Sequence, residues 1–218
     1  MARRSPTPLA GALFVIFLVA TFAGLWGDTP PGDASGPTVI SFYEDKGTQG
    51  MVAAVMLALS AVPLLVFAAA VRDRLRAALP EGSVLPGLAF GAGIVAAAGF
   101  TTAAAAHFAV AANAEELEPA AAQAVNTIDA DLFLGFSMGL GTLVLAMSVA
   151  ALRSDVLPTW SGWAGVALFV VSVTPVGAVA FPLWVLWILM SSVMLYRRDA
   201  GVSARRTAAA RIIFGESA

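Results

Sequence analysis

His107 is the only histidine in the 218-residue chain, and the stretch NTIDADLF at 126–133 places two aspartates, Asp129 and Asp131, at the threshold of a long apolar run. An imidazole beside a carboxylate is a minimal device for taking up and releasing a proton near neutral pH. Carboxylates at a membrane boundary are costly and usually partnered. Glu44 and Asp45 in FYEDKG complete a candidate outer polar cluster of His107, Asp131, Asp129, Glu44 and Asp45. Glu115, Glu116 and Glu118 form a separate acidic run, which reads as a solvated loop.

The two aspartates read differently. If Asn126 is the N-cap of a helix, Asp129 is at N3, where an acid meets unpaired amides and the positive end of the helix dipole. Asp131 lies past that first turn and shares a helical face with Gly135 and Gly139, the face expected to meet other helices. His107 falls near the outer end of the preceding apolar segment, at a depth similar to Asp131. The expected pair is therefore His107–Asp131, forming a proton-sensitive outer pocket. A plain interhelical clamp, or a histidine facing the headgroups, is the alternative.

Much other chemistry is excluded. There is no cysteine, so disulfides, thiolate catalysis and cysteine metal sites are absent. A single histidine rules out a multi-histidine metal site within one chain. The only lysine, Lys46, lies outside the apolar segments, so a retinal-type Schiff base has no attachment point. No phosphate loop, catalytic triad or zinc helix is present. No catalytic residue, metal or cofactor is assigned.

The elements that must hold these residues are membrane helices. Apolar residues make up 59% and charged residues 12%, about half the charge that a soluble domain carries. Mean hydropathy is +0.85. Apolar segments occur at about 8–26, 49–71, 84–112 and 128–152. The last stretch, 161–196, is too long for one span of roughly 20 residues, and Thr174-Pro175-Val176-Gly177 divides it into two short helices. Six spans with a cytoplasmic N-terminus place Arg3, Arg4, Arg72, Arg74, Arg76, Arg153, Arg197, Arg198, Arg205, Arg206 and Arg211 inside and only Lys46 outside. The fold expected is an all-α integral membrane bundle of six transmembrane helices. Both termini are cytoplasmic, and the bundle is multi-pass in the plasma (inner) membrane. The first segment has a basic start but no good cleavage site, Thr21-Phe22-Ala23 being a poor one, and it reads as a retained helix.

Residues 1–198 form one transmembrane domain. Residues 199–218 form a basic cytoplasmic tail, either a surface helix on the anionic leaflet or a disordered anchor. The first outer loop, 27–48, begins irregular and rich in Pro, Gly and Asp; the second, 113–127, is alanine-rich and partly helical. Small residues are expected to make the helix contacts: Gly87 and Gly91 in the third helix, Gly135 and Gly139 in the fourth. These four glycines could serve within the chain or join a second copy or another membrane protein. The third helix, thin on several faces, is expected at the bundle centre. Pro63 is expected to kink the second helix, with Ser60 near enough to re-satisfy a freed carbonyl.

Three stretches, FYEDKG at 42–47, IDADLF at 128–133 and LPTWSGWAG at 157–165, are followed by the TPVG turn and a tryptophan-bearing final helix. Together they resemble an uncharacterised multi-spanning bacterial membrane protein family of actinobacterial type and unknown function. In that family the second piece reads closer to Asp-Asn-Asp before an aromatic, and Ala130 departs from it. The resemblance implies a multi-spanning helical fold and no particular activity.

Two functional classes remain. One is a non-enzymatic partner or assembly protein, favoured by the missing catalytic constellations. The other is a small transporter or channel with the proton-sensitive outer pocket, disfavoured by the lack of acids, bases and amides at the helix midplanes. An intramembrane enzyme built on His107 and a carboxylate has too few groups to specify it. The lipid bilayer is an expected partner; nucleic acid is not.

Overall fold

The computed structural model describes residues 7–24, 29–174 and 180–214, with 23–24 and 199–214 as backbone only. Arg3, Arg4 and Pro175 to Gly177 lie outside the described residues. All regular structure among the described residues is helical. The helices are α1 (Ala10–Gly24), α2 (Gly36–Ala78), α3 (Leu85–Asn113), α4 (Pro119–Asp131), α5 (Phe133–Arg153), α6 (Thr159–Ser172) and α7 (Ala180–Phe214), with short 3-10 turns at Thr7–Leu9 and Ala114–Glu116. Proline marks several starts, where its missing N–H costs nothing: α2, α3 and α4 each carry one in the first two positions.

Four stretches are long and apolar enough to cross a membrane: Gly36–Ala78, Leu85–Glu116, Pro119–Arg153 and Ala180–Arg198. Thr7–Phe22 and Thr159–Ser172 are shorter apolar helices. The division of the last apolar stretch holds, since α6 ends at Ser172 and α7 starts at Ala180. The backbone of α7 stays helical through the expected tail boundary to Phe214.

The helices pack in a ring. α1 meets α2, α2 meets α3, α3 meets α5, α5 meets α6, α6 meets α7, and α7 closes on α1. Within it Phe14, Leu57, Leu64, Phe67, Phe100, Leu140, Leu143, Met147 and Ile188 are almost wholly buried. On the outside Ile16, Val62, Leu134, Met138 and Leu186 are each more than half exposed. An apolar exterior on an apolar core is what a chain shows when lipid is its solvent. α3 lies between α2 and α5 rather than at the centre.

One end of the ring is basic. Ser192 Oγ donates to Pro8 O and accepts from Ala12 N at 3.1 Å, and Arg74 Nη1 donates to Leu195 O at 3.2 Å. These bonds bring the start of α1, the end of α2 and the later part of α7 together. Arg72, Arg76, Arg153, Arg197 and Arg198 belong to the same end by their places in the helices, with Asp73, Glu81 and Asp155 among them. The opposite end carries Lys46 and most of the acids.

That opposite end is a small folded cap. The first turns of α2, the end of α3 and all of α4 share an apolar cluster of Val39, Tyr43, Val110, Ala111, Ala114 and Ala122. Asn126 Nδ2 and Thr127 Oγ1 tie α4 to the first loop by donating to Pro31 O and Gly32 O, each at 2.8 Å. α2 leaves helical geometry at Lys46 (φ −121°, ψ 15°), where its cap portion joins its span. Pro63 lies inside α2 with helical dihedrals, and Ser60 Oγ donates to Leu57 O at 2.6 Å.

The glycine contacts also differ from expectation. A Cβ on Gly87 or Gly91 would meet nothing within 4 Å, and one on Gly135 would only just reach Gly99 Cα at 4.0 Å. Gly139 does pack, against the backbone of Ala96, and Gly99 packs against Phe136. Another close approach lies in the cap, where Gly36 sits against the backbone of Pro119, with a built Cβ only 2.7 Å from Pro119 Cα. Neither backbone can yield without moving α2 or α4. Gly36→Ala is expected to lower stability by about 1–3 kcal/mol, as overpacking does; detergent-micelle unfolding would show it, and an unchanged midpoint would mean that the cap is loosely seated.

Candidate functional site

The cap positions a buried histidine–carboxylate pair. His107, in the last turns of α3, is 1% exposed; Asp129, in the last turn of α4, is 9% exposed; their Nδ1 and Oδ2 atoms are 2.8 Å apart. An ionised carboxylate only accepts, so the imidazole Nδ1–H is the donor. The partner of His107 is therefore Asp129 and not Asp131, which is exposed.

The reason lies in where the helix begins. The expected N-cap, Asn126, is an interior residue of α4, which starts at Pro119. Asp129 is thus not at N3. It stands near the C-terminal, negative end of its helix, where an acid is disfavoured. Capping cannot explain it; the histidine can. α4 and α5 are then separated at Leu132, where Gly135 N bonds back to Leu132 O at 3.1 Å in a tightened turn. Leu132 itself keeps right-handed helical dihedrals, and Asn126, Asp129, Phe133 and Phe136 line one cavity at helical spacing across that turn, while Asp131 stays exposed.

Tyr43 joins the pair from α2. Its hydroxyl is 3.5 Å from His107 Nδ1, too far to compete for a proton already given to Asp129. The rings meet edge to face, with centroids 5.6 Å apart. Tyr43 was not among the sequence candidates. The signal was the helical spacing of Gly36, Val39, Tyr43 and Gly50, all buried on one face of α2.

The remaining candidates lie elsewhere. Glu44 and Asp45 are exposed and join Glu115 and Glu116 around an open depression of about 310 Å³. Lys46 lies over the Phe42 ring at 5.1 Å. No group of three or more Asp, Glu, His or Cys side chains among the described residues could hold a metal.

Two cavities flank the pair. A very small one, about 10 Å³, is bounded by His107, Tyr43, Lys46 and Gln49. A larger one, about 150 Å³, is bounded by Asp129, Asn126, Ala103, Phe22, Phe133 and Phe136 among others. Asp129 Oδ1 is buried and has no hydrogen-bond partner among the described residues.

These features define a class: an all-helical, membrane-type bundle with a folded cap over a buried histidine–carboxylate pair. Comparison with known proteins carries this no further, since no family model, curated protein or solved structure matches the chain.

Proposed function

We propose that the chain is a non-enzymatic, six-span protein of a plasma membrane, a partner or assembly subunit whose capped outer end carries its recognition chemistry. The short helices α1 and α6 count as spans because they close the ring between longer ones. Both termini are cytoplasmic on this reading, since the arginines gather at one end and positive charge is retained inside.

The observation that carries the reading is the placement of polar groups. Most hydroxyls along the spans bond to their own helix: Thr21 to Phe17 O, Thr101 to Ala97 O, Thr102 to Ala98 O and Ser148 to Val144 O. Such bonding leaves little for a passing solute. The buried charge chemistry lies at the cap. A second reading, a small transporter, draws on the cavity beside Asp129, which would be its outer entry.

The native chain lacks cysteine, so sidedness is directly testable. An impermeant maleimide on intact cells is expected to label Glu116→Cys and not Asp155→Cys, both positions being exposed; the reverse pattern would invert the topology. For function, purification from the native membrane in mild detergent is expected to recover a stoichiometric partner, with proteoliposomes showing no proton or alkali-cation flux above leak. Flux that disappears in Asp129→Asn would instead establish the transporter.

A further inference from the structure

We propose that the groove between α6 and α7 holds one acyl chain of an anionic phospholipid whose phosphate is taken by Arg197 and Arg198. The groove is lined by Trp160, Ala164, Leu168 and Val171 of α6 and by Leu183 and Met190 of α7, among others, and has a volume of about 510 Å³. Its walls are apolar and it is open along its length. From Trp160 to Val171 the axis of α6 rises about 16 Å. One leaflet of a hydrocarbon core near 30 Å is about 15 Å deep. The groove therefore has the length of one lipid tail.

The floor of the groove is fixed. It is the ring of Trp187, 4% exposed, whose indole Nε1 donates to Ser161 O at 3.0 Å. Gly165 makes room for that ring, since a Cβ there would lie 3.1 Å from Trp187 Cε2. Ala164 and Ala167 keep the α6 wall low. Trp160 is 56% exposed and stands at the mouth, in the first turn of α6. Tryptophan favours the level where hydrocarbon meets headgroups.

The mouth is basic. Arg197 comes seven residues after Met190 and Arg198 eleven after Trp187, spacings that return to the groove face of α7. Both arginines are exposed. Arg197 lies about 10 Å along the helix beyond Met190, where headgroups follow hydrocarbon. At the adjoining end of α5 and in its connection to α6 stand Arg153 and one acid, Asp155. Basic sites between membrane helices take anionic headgroups, and the guanidinium fork matches a phosphate. A second copy suits this face less well. Within one bilayer both copies keep the same end up, so a twofold contact here sets arginines against arginines. The inference draws on an apolar bundle with a basic end. It needs neither the sidedness nor the partner of the proposed function, so the two can fail separately.

The test is tryptophan fluorescence of the full chain in mild detergent, titrated with phosphatidylglycerol brominated on one acyl chain, against phosphatidylcholine brominated alike. Bromine quenches tryptophan at short range, and Trp160 lines the groove. Saturable quenching is expected, with phosphatidylglycerol favoured at least about fivefold, the worth of one arginine near anionic lipid. Trp160→Phe should remove the largest share of that quenching. Arg197→Gln combined with Arg198→Gln should erase the preference and leave phosphatidylcholine unchanged. Ala167→Phe, at an exposed position, fills the groove, keeps both arginines and should erase the preference too. Equal quenching by the two lipids, quenching untouched by Trp160→Phe, or a preference kept in either the arginine variant or Ala167→Phe would each overturn the inference. So would a dimer in light scattering that Ala167→Phe dissociates, since a second copy would then occupy the groove.

Discussion

Replacing Gly139 with leucine is expected to destabilise the bundle by about 3 kcal/mol or more, while the same replacement at Gly87 should stay within about 0.5 kcal/mol of the native protein. Both residues belong to GxxxG pairs, and sequence pattern treats them alike. Their surroundings are opposite. A Cβ at Gly139 would lie 2.6 Å from Ala96 Cα and 2.8 Å from Ala96 Cβ. The obstacle is the α3 backbone, so relief requires α3 and α5 to separate. Association of helices in lipid depends on such close packing, because there is little hydrophobic gain to replace it. Phe100 and Phe136, stacked at 4.5 Å across the same interface, would lose their contact too. At Gly87 an added Cβ meets nothing within 4 Å, so a leucine has room there and gains helix propensity over glycine. Unfolding of both variants in mixed detergent micelles measures the contrast. Equal losses would mean that the α3 face at Gly87 is occupied in the folded protein, as by a second copy.

The same contrast shows what a sequence can and cannot specify. Hydropathy and arginine placement made the apolar helices legible, including the break near Thr174, because lipid demands long apolar runs and charge follows sidedness. Which face of a helix packs was not legible. GxxxG states that close approach is possible, and only the neighbours decide whether it happens. The site was half legible. His107 stood out by its rarity, and the need for a carboxylate partner was sound. The choice between Asp129 and Asp131 depended on where one helix ends and the next begins. The apolar run starts at Ile128, so the span seemed to start there, with Asn126 as its cap. In fact Pro119 starts a polar, alanine-rich helix that runs on to Asp131. Ala122, Asn126 and Asp129 share the inner face of that helix, and Asp131 lies off it. Helix boundaries are the weakest part of any pattern reading, and here a boundary carried the chemistry.

His107→Leu is the second large effect expected. It should cost about 3 kcal/mol, the upper end of the usual penalty when a buried acceptor loses its donor, a carboxylate being a costly group to leave so. The carboxylate left behind would be nine-tenths buried. Its Oδ1 has no hydrogen-bond partner among the described residues, and Oδ2 would lose the imidazole. Asp129→Leu should cost less, about 1–2 kcal/mol, because the imidazole is left with one unsatisfied N–H and no stranded carboxylate. Replacing both by leucine should recover most of the His107→Leu loss, since the stranded charge is gone. The non-additivity in this double-mutant cycle is the direct measure of the pair. Asp131→Asn, at an exposed position, should change stability by less than about 0.5 kcal/mol. Were Asp131→Asn the costly change and the cycle at Asp129 additive, the histidine would be pairing two residues onward, about half a helical turn. The cap would then have to close with α4 rotated.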